Sequence, residues 1–449
     1  MKTVEMYIHH PSSMFHSSVV FILALFVSVA SASSPVPGKR QTRPVALVGG
    51  TVHTVAAGDI ERGTVLFENG VITAVGASVT VPADAERIDV TGRHVYPGLI
   101  NASSAAGLQE IEAVRATVDV AETGRINPNV RAEVAVNPES DVIPTIRANG
   151  VALSHVMPSG ALIAGCSAVM MMDGWTNGEM TLKAPTGMVV TWPSMTVSRS
   201  PYARQSEEEQ RAAVERSLAE LRNAFDDARA YLAAKKNAPS AHRTDVRWEA
   251  MAPLFDRTMP LIVEADELQQ VQAAVQFARA QNVRLIIHGG RDAWKAAPLL
   301  RENGVAVIVG AAHALPSRRW SDYDEPFVTA RRLADAGILI ALAGDGNGAM
   351  IERNLGFQAA TSSAFGLTRE QTLRAVTLDA ARVLGVADRV GSIETGKDAT
   401  LIVTDGDPLE IRSAVTMMFL QGKTVELESR HTRLWKKYIE KYRRQAVGQ

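Results

Sequence analysis

Glu264, His288 and Asp345 each stand at the end of a short apolar run, at residues 259–263, 283–287 and 338–343. Two carboxylates and an imidazole are the ligand types that bind one zinc, manganese or iron ion while leaving coordination positions open. Carboxylate and imidazole are also the usual carriers of protons in catalysis. Each residue has a plainer reading as well. Asp345 precedes Gly346-Asn347-Gly348 and could cap a turn. His288 opens a Gly289-Gly290 loop, and Glu264 stands beside Asp266 and Glu267, where acidic residues complement the free amides of a helix start. Arg147, His155, Trp192 and the polar stretch 115–129 are further cavity candidates. His313 follows another apolar run, and a supporting or loop role is preferred for it over metal ligation. Cys166 lies among Ile163, Ala164, Val169 and Met170 with no activating base nearby, so it is read as structural.

The elements that must hold these groups alternate between strand and helix. The runs at 259–263, 283–287, 305–309 and 338–343 are separated by helical patterns, which implies a parallel sheet. An open sheet and a closed barrel both satisfy that pattern. Polar residues at successive strand ends favour the barrel, whose ligands gather at one rim. Val214, Leu218, Leu221, Phe225, Ala228 and Leu232 recur at steps of four and three, predicting a long helix over 205–235 with one apolar stripe. Residues 45–96 read instead as short strands with an Asn69-Gly70 hairpin turn. The same texture returns over 391–425, so the two chain ends are expected to complete one discontinuous β domain. Between Arg433 and Arg444 the chain is basic, and Leu434, Trp435, Tyr438, Ile439 and Tyr442 form an apolar face expected to pack as a terminal helix.

The 449 residues are 46% hydrophobic and include 33 glycines, enough to bury a large core and a smaller one. With 47 basic and 48 acidic residues there is no overall field to attract nucleic acid or an anionic membrane, the basic stretch 433–444 being the one local exception. No phosphate-binding loop of useful specificity is present. An apolar run at 19–27 followed by Val29-Ala30-Ser31-Ala32 has the form of a signal peptide cleaved before Ser33. The expected location is therefore periplasmic or extracellular, with envelope association or an uncleaved anchor as alternatives. After cleavage no stable membrane insertion is expected, and a single cysteine leaves no internal disulfide.

Asp89 and Gly92, the segment Val95-Tyr96-Pro97-Gly98-Leu99-Ile100-Asn101, Ala343-Gly344-Asp345, the stretch 373–385 and Gly391-Ser392-Ile393-Glu394-Thr395-Gly396-Lys397-Asp398-Ala399 together resemble the amidohydrolase superfamily, especially its imidazolonepropionase-like metal-dependent hydrolases. The resemblance spans 45–425. It implies an α/β fold, a distorted (β/α)8 TIM barrel with a small composite β-sandwich. The expected division is a signal peptide at 1–32, a linker at 33–43, sandwich parts at 44–96 and 386–428, the barrel at 97–385 and a basic amphipathic helix at 429–449. It also implies metal ligands after strands 1, 4, 5, 6 and 8. Glu264, His288 and Asp345 then fall after strands 5, 6 and 8, whereas Ser103 and Ala105 replace the usual histidine pair of strand 1. Two readings stay open. One is a hydrolase of a non-peptide carbon–nitrogen bond with at most one divalent ion, in which Asp345 relays the water proton, His288 is a ligand or donor and Glu264 a ligand. The other is a catalytically inactive exported protein of the same fold, acting as a binding or partner protein with no metal. The partner is a small-molecule substrate or ligand in either case, with a homo-oligomer or a related barrel as a partner by analogy of fold alone.

Overall fold

The computed structural model describes residues 36–200, 202–344 and 349–447. The expected signal peptide and Asp345 both lie outside them. From Pro37 onward the chain forms one unit built on two eight-stranded sheets.

The first sheet joins the two ends of the sequence. β1 (Val45–His53), β2 (Asp59–Glu68), β3 (Val71–Gly76), β4 (Glu86–Asp89) and β5 (His94–Pro97) come from the first hundred residues. β14 (Leu401–Thr404), β15 (Val415–Leu420) and β16 (Lys423–Val425) come from the last fifty. The order is β16-β15-β14-β5-β1-β2-β3, with β4 alongside β1. The seam between the halves is the antiparallel β5–β14 pair, where Tyr96 faces Ile402 and Val95 faces Val403. Leu47, Val65, Phe67, Val95, Leu401 and Phe419 bury a common core, so neither half could close it alone. The β2–β3 turn uses Asn69 at φ 51 and Gly70 at φ 85. Two successive left-handed residues match the twist of the hairpin, which is why this dipeptide was legible.

The second sheet is the barrel. Its strands run in chain order: β6 (Leu99–Ser104), β7 (Val151–Val156), β8 (Ile163–Met171), β9 (Thr181–Thr191), β10 (Leu261–Ala265), β11 (Leu285–Gly289), β12 (Ala306–Val309) and β13 (Ile340–Leu342). β10 to β13 are parallel, as the alternating pattern predicts. The third position departs from a regular (β/α)8 barrel, since β8 is antiparallel to both β7 and β9. The connections 157–162 and 172–180 are too short to carry a crossover helix, and a short link permits only an antiparallel neighbour. The ring is nearly closed. Where β13 approaches β6, Ile100 N–H donates instead to the Val376 carbonyl at 2.8 Å, from the loop between two outer helices.

The long helix spans Glu207–Asn237 and begins with a capping box in which Ser206 and Glu209 exchange hydrogen bonds. Leu221, Phe225 and Ala228 on its stripe are buried, with Phe225 edge-on to Phe255 and Phe277. Cys166 is buried, and burial pushes its thiol up to about 12, which suits the structural role. The C-terminal helix Arg430–Val447 forms, but its apolar face does not pack. Trp435 and Tyr442 are 64% and 63% exposed, contrary to the expectation of a docked stripe.

Candidate functional site

Glu264 and His288 meet at the carboxyl rim of the barrel. They occupy the last turns of β10 and β11 and are register partners, one residue inside the strand ends rather than beyond them. Parallel pairing in register sets the two side chains next to one another, and His288 Nδ1 lies 3.8 Å from Glu264 Oε1. Thr191, the partner of Glu264 on β9, donates its hydroxyl to Glu264 Oε2 at 2.6 Å. After His288 the chain turns off the strand through Gly289 at φ 92 and Gly290 at φ 67. A side chain at Gly289 would meet the Asp266 carboxylate at 2.7 Å, so the glycine pair is needed to leave the rim there.

Two cavities share this pair. One, of about 600 Å³, runs outward past Trp192, Gln270, Arg291 and Leu315. The other, of about 300 Å³, lies over the end of β6 and is lined by Ser103, Ser104, Ala105 and Glu352. Within the polar stretch 115–129, Asp119, Glu122 and Asn129 line a separate cavity, while Val120 also borders the smaller rim cavity. Arg147 is at the opposite end of β7, paired with Asp173. His313 is exposed and bonds Thr361 at 2.8 Å, while its neighbours Ala311 and Ala314 line the larger rim cavity.

The end of β6 holds a residue that sequence reading missed. Glu352, from the 3-10 turn Ala349–Asn354, is buried under this strand. It accepts from Asn101 Nδ2 at 3.0 Å, the Ser104 hydroxyl at 2.5 Å and the Ala105 N–H at 2.8 Å. Asn101 Oδ1 in turn accepts from Gly344 N–H at 2.8 Å, which ties β6 to the segment after β13. The only signal in the sequence was the polar Asn101-Ala102-Ser103-Ser104 ending of an otherwise apolar strand. Glu352→Ala should strand these donors in a buried site and lower stability by about 2–3 kcal/mol, read from the denaturant midpoint. Unchanged stability would mean that solvent takes the place of the carboxylate.

His155 is fully buried on β7. Its Nδ1 is 2.9 Å from the Ala102 carbonyl, and Nε2 is 2.8 Å from Ser167 Oγ and 3.1 Å from Thr186 Oγ1. Burial pushes its pKa down to about 4, so the ring is neutral, with Nδ1 donating and Nε2 accepting. A buried neutral histidine resists the proton that an unfolded one takes up. Stability is therefore full above pH 6.5 and declines as pH falls toward 4, by about 3 kcal/mol over that window. His155→Gln should flatten this part of the pH–stability profile, and an unchanged slope would assign it to other groups.

Loops around the larger cavity are fastened by charge. Asp292 takes two hydrogen bonds from Arg318 and one from Lys295, holding the loop after β12 against the turn after β11. Burial alone would raise this carboxyl, but the Arg318 and Lys295 contacts outweigh it and hold it down to about 2. On the other side, Glu267 accepts from the N–H groups of Met195 and Thr196, which secures the loop after β9.

The described donors do not complete the full ligand set of the resembled family, in keeping with the expectation of at most one ion. Ser103 and Ala105 offer no strong ligand, Glu352 is engaged by three neutral donors, and His155 has both nitrogens committed. Among the described residues no group of three His, Cys, Asp or Glu is placed to hold an ion. Glu264 and His288 come together. Asp345, the third expected member, falls in the segment 345–348 outside the described residues.

A model of the amidohydrolase family matches residues 300–428. The chain is 25% identical over 408 residues to an imidazolonepropionase of Mesorhizobium japonicum, covering 84% of this chain and 93% of that protein. It is 24% identical over 401 residues to amidohydrolase tasK of Hapsidospora irregularis, covering 80% of this chain but 39% of that longer protein. Among solved structures, an amidohydrolase from Thermotoga maritima superposes with a TM-score of 0.76 at 25% identity, over 85% of this chain and 99% of that one.

Proposed function

Taking as premise that the chain belongs to the amidohydrolase superfamily, we propose that it hydrolyses a non-peptide carbon–nitrogen bond of a small organic substrate at the rim where Glu264 and His288 meet. The carrying observation is that pair, 3.8 Å apart and shared by two adjoining cavities. A cavity of about 600 Å³ suits a small molecule.

In this reading water attacks the substrate carbonyl carbon while His288 takes the water proton. Glu264, held by Thr191, keeps the imidazole oriented. The carbon–nitrogen bond then breaks and the proton passes to the leaving nitrogen, so atoms and charge balance. Asp345 is proposed as the third member, contributed from beyond β13. No step passes through a metal.

The test is hydrolysis of a panel of amides and cyclic lactams or imidazolones by the purified chain, with elemental analysis of the same protein and of Asp345→Ala. Turnover in the wild type and its loss in His288→Ala support the proposal. A stoichiometric ion lost in Asp345→Ala would add a single metal to it. A folded protein with no turnover and saturable ligand binding would instead support the second reading, an inactive binding protein. The observation favouring that reading is the filled end of β6, where Glu352 meets Asn101, Ser104 and Ala105 in place of a metal-binding pair.

A further inference from the structure

Among the described residues, the helix Arg430–Val447 is fastened to the protein through its first two turns, the innermost tie being Lys436 to Glu428 at 2.7 Å. Ser429 and Thr432 exchange hydrogen bonds at its start, Arg353 reaches His431 Nδ1 at 3.2 Å, and Arg430 lies 3.9 Å from Asp141. From Arg433 to Ala446 every residue except Ile439 is exposed. Such a helix extends over roughly 27 Å at 1.5 Å per residue.

Its two faces are sharply divided. At 100° per residue, Leu434, Trp435, Tyr438, Ile439 and Tyr442 fall within an arc of roughly 140°. The opposite arc carries the helix's seven lysines and arginines with one acidic residue, Glu440. Lys441 stands at the border, 5.9 Å from the ring centres of both Tyr438 and Tyr442. The whole chain has a formal net charge of −1, so this net basic helix stands on a protein that is otherwise net acidic.

We propose that this helix is a peripheral membrane anchor that lies flat on an anionic lipid surface. The aromatic and aliphatic face enters the headgroup boundary while the flanking cations stay at the level of the lipid phosphates. Charge complementarity selects the occupant: two such helices would repel one another, whereas an anionic bilayer is complementary to both faces at once. No helix among the described residues is long and apolar enough to cross a membrane, so this is adsorption and not insertion. It is independent of the chemistry proposed for the barrel rim.

The experiment is co-sedimentation of the full chain with vesicles of equimolar phosphatidylcholine and phosphatidylglycerol, against vesicles of phosphatidylcholine alone. Two variants accompany the wild type, Trp435→Ser/Tyr442→Ser and Lys437→Glu/Lys441→Glu. Both alter exposed side chains, and unchanged circular dichroism confirms folding. All three proteins share every residue before the helix, so differences report the helix alone. The expected result is binding to the anionic vesicles that falls about tenfold in each variant and is suppressed by high salt. Equal binding by wild type and variants, or no preference for the anionic vesicles, would overturn the proposal. So would a dimer in sedimentation equilibrium that dissociates in the Trp435→Ser/Tyr442→Ser variant, since the face would then belong to a second copy.

Discussion

His288→Ala is expected to lower kcat/KM on the substrate identified by the hydrolysis panel by about 10²–10⁴-fold, the usual contribution of a positioned acid–base group. The side chain lines both rim cavities, so its removal enlarges existing space rather than opening the apolar core, and an unchanged denaturant midpoint marks the loss as chemical. Glu264→Gln is the informative companion. It keeps the shape and can still receive the Thr191 hydroxyl, but it removes the charge beside the imidazole. If the two act as a unit, the double variant is little worse than His288→Ala alone, because residues of one unit give non-additive losses. Stopped or initial-rate assays on the three variants measure this. Full activity in His288→Ala would move the chemistry away from the rim pair.

Arg147→Ala is expected to destabilise the protein by about 3–5 kcal/mol, because it leaves Asp173 as an unpaired buried charge. Both side chains are only 3% exposed, and Arg147 Nη1 lies 2.7 Å from Asp173 Oδ1 and 3.1 Å from the Met172 carbonyl. The pair is incompletely satisfied, since Arg147 Nε and Nη2 are buried without a hydrogen-bond partner among the described residues. Burial accordingly draws the guanidinium below its usual range, against the opposing pull of Asp173. Replacing both partners with apolar residues, as in Arg147→Met/Asp173→Leu, should recover most of the loss. The other oxygen of Asp173 accepts from Gly38 N–H at 2.9 Å, so a small deficit from that lost tether remains. Denaturant midpoints for the single and double variants check this. A double variant as unstable as Arg147→Ala would show that the pair itself, and not relief of a stranded charge, supports the fold.

The fold was legible where one residue type had one physical use. Asn69-Gly70 marks its hairpin because two left-handed residues are required there, and the buried stripe of the long helix repeats at the helical period. The segments that resemble the amidohydrolase superfamily were legible for a related reason, since they are scaffold. Arg374 pairs with Asp379 and also reaches the Val55 carbonyl, binding the barrel's outer helices to the first sheet. Residues 391–399 stitch that sheet at the β2–β3 turn, where Ile72 N–H donates to Lys397 and Ala399 N–H to Gly70. These segments are thus recognisable by what they hold together, and the first barrel strand, Leu99–Ser104, carries no histidine.

The candidate site was legible in part. Glu264 and His288 announced themselves by ending apolar strands, and the shared register of β10 and β11 makes them neighbours. Glu352 and Asn101 are separated by 251 positions and carry no common motif, so only the meeting of β6 with the segment after β13 reveals their hydrogen bond. Asp119, Glu122, Asn129 and Arg147 looked equally eligible as linear text, and the path of the chain sends them to other places. Local patterning settles strands, helices and turns because their geometry depends on near neighbours. Which polar groups share a cavity, that β8 runs against its neighbours, and that the terminal helix leaves its aromatic face in solvent are outcomes of packing between residues far apart in the chain.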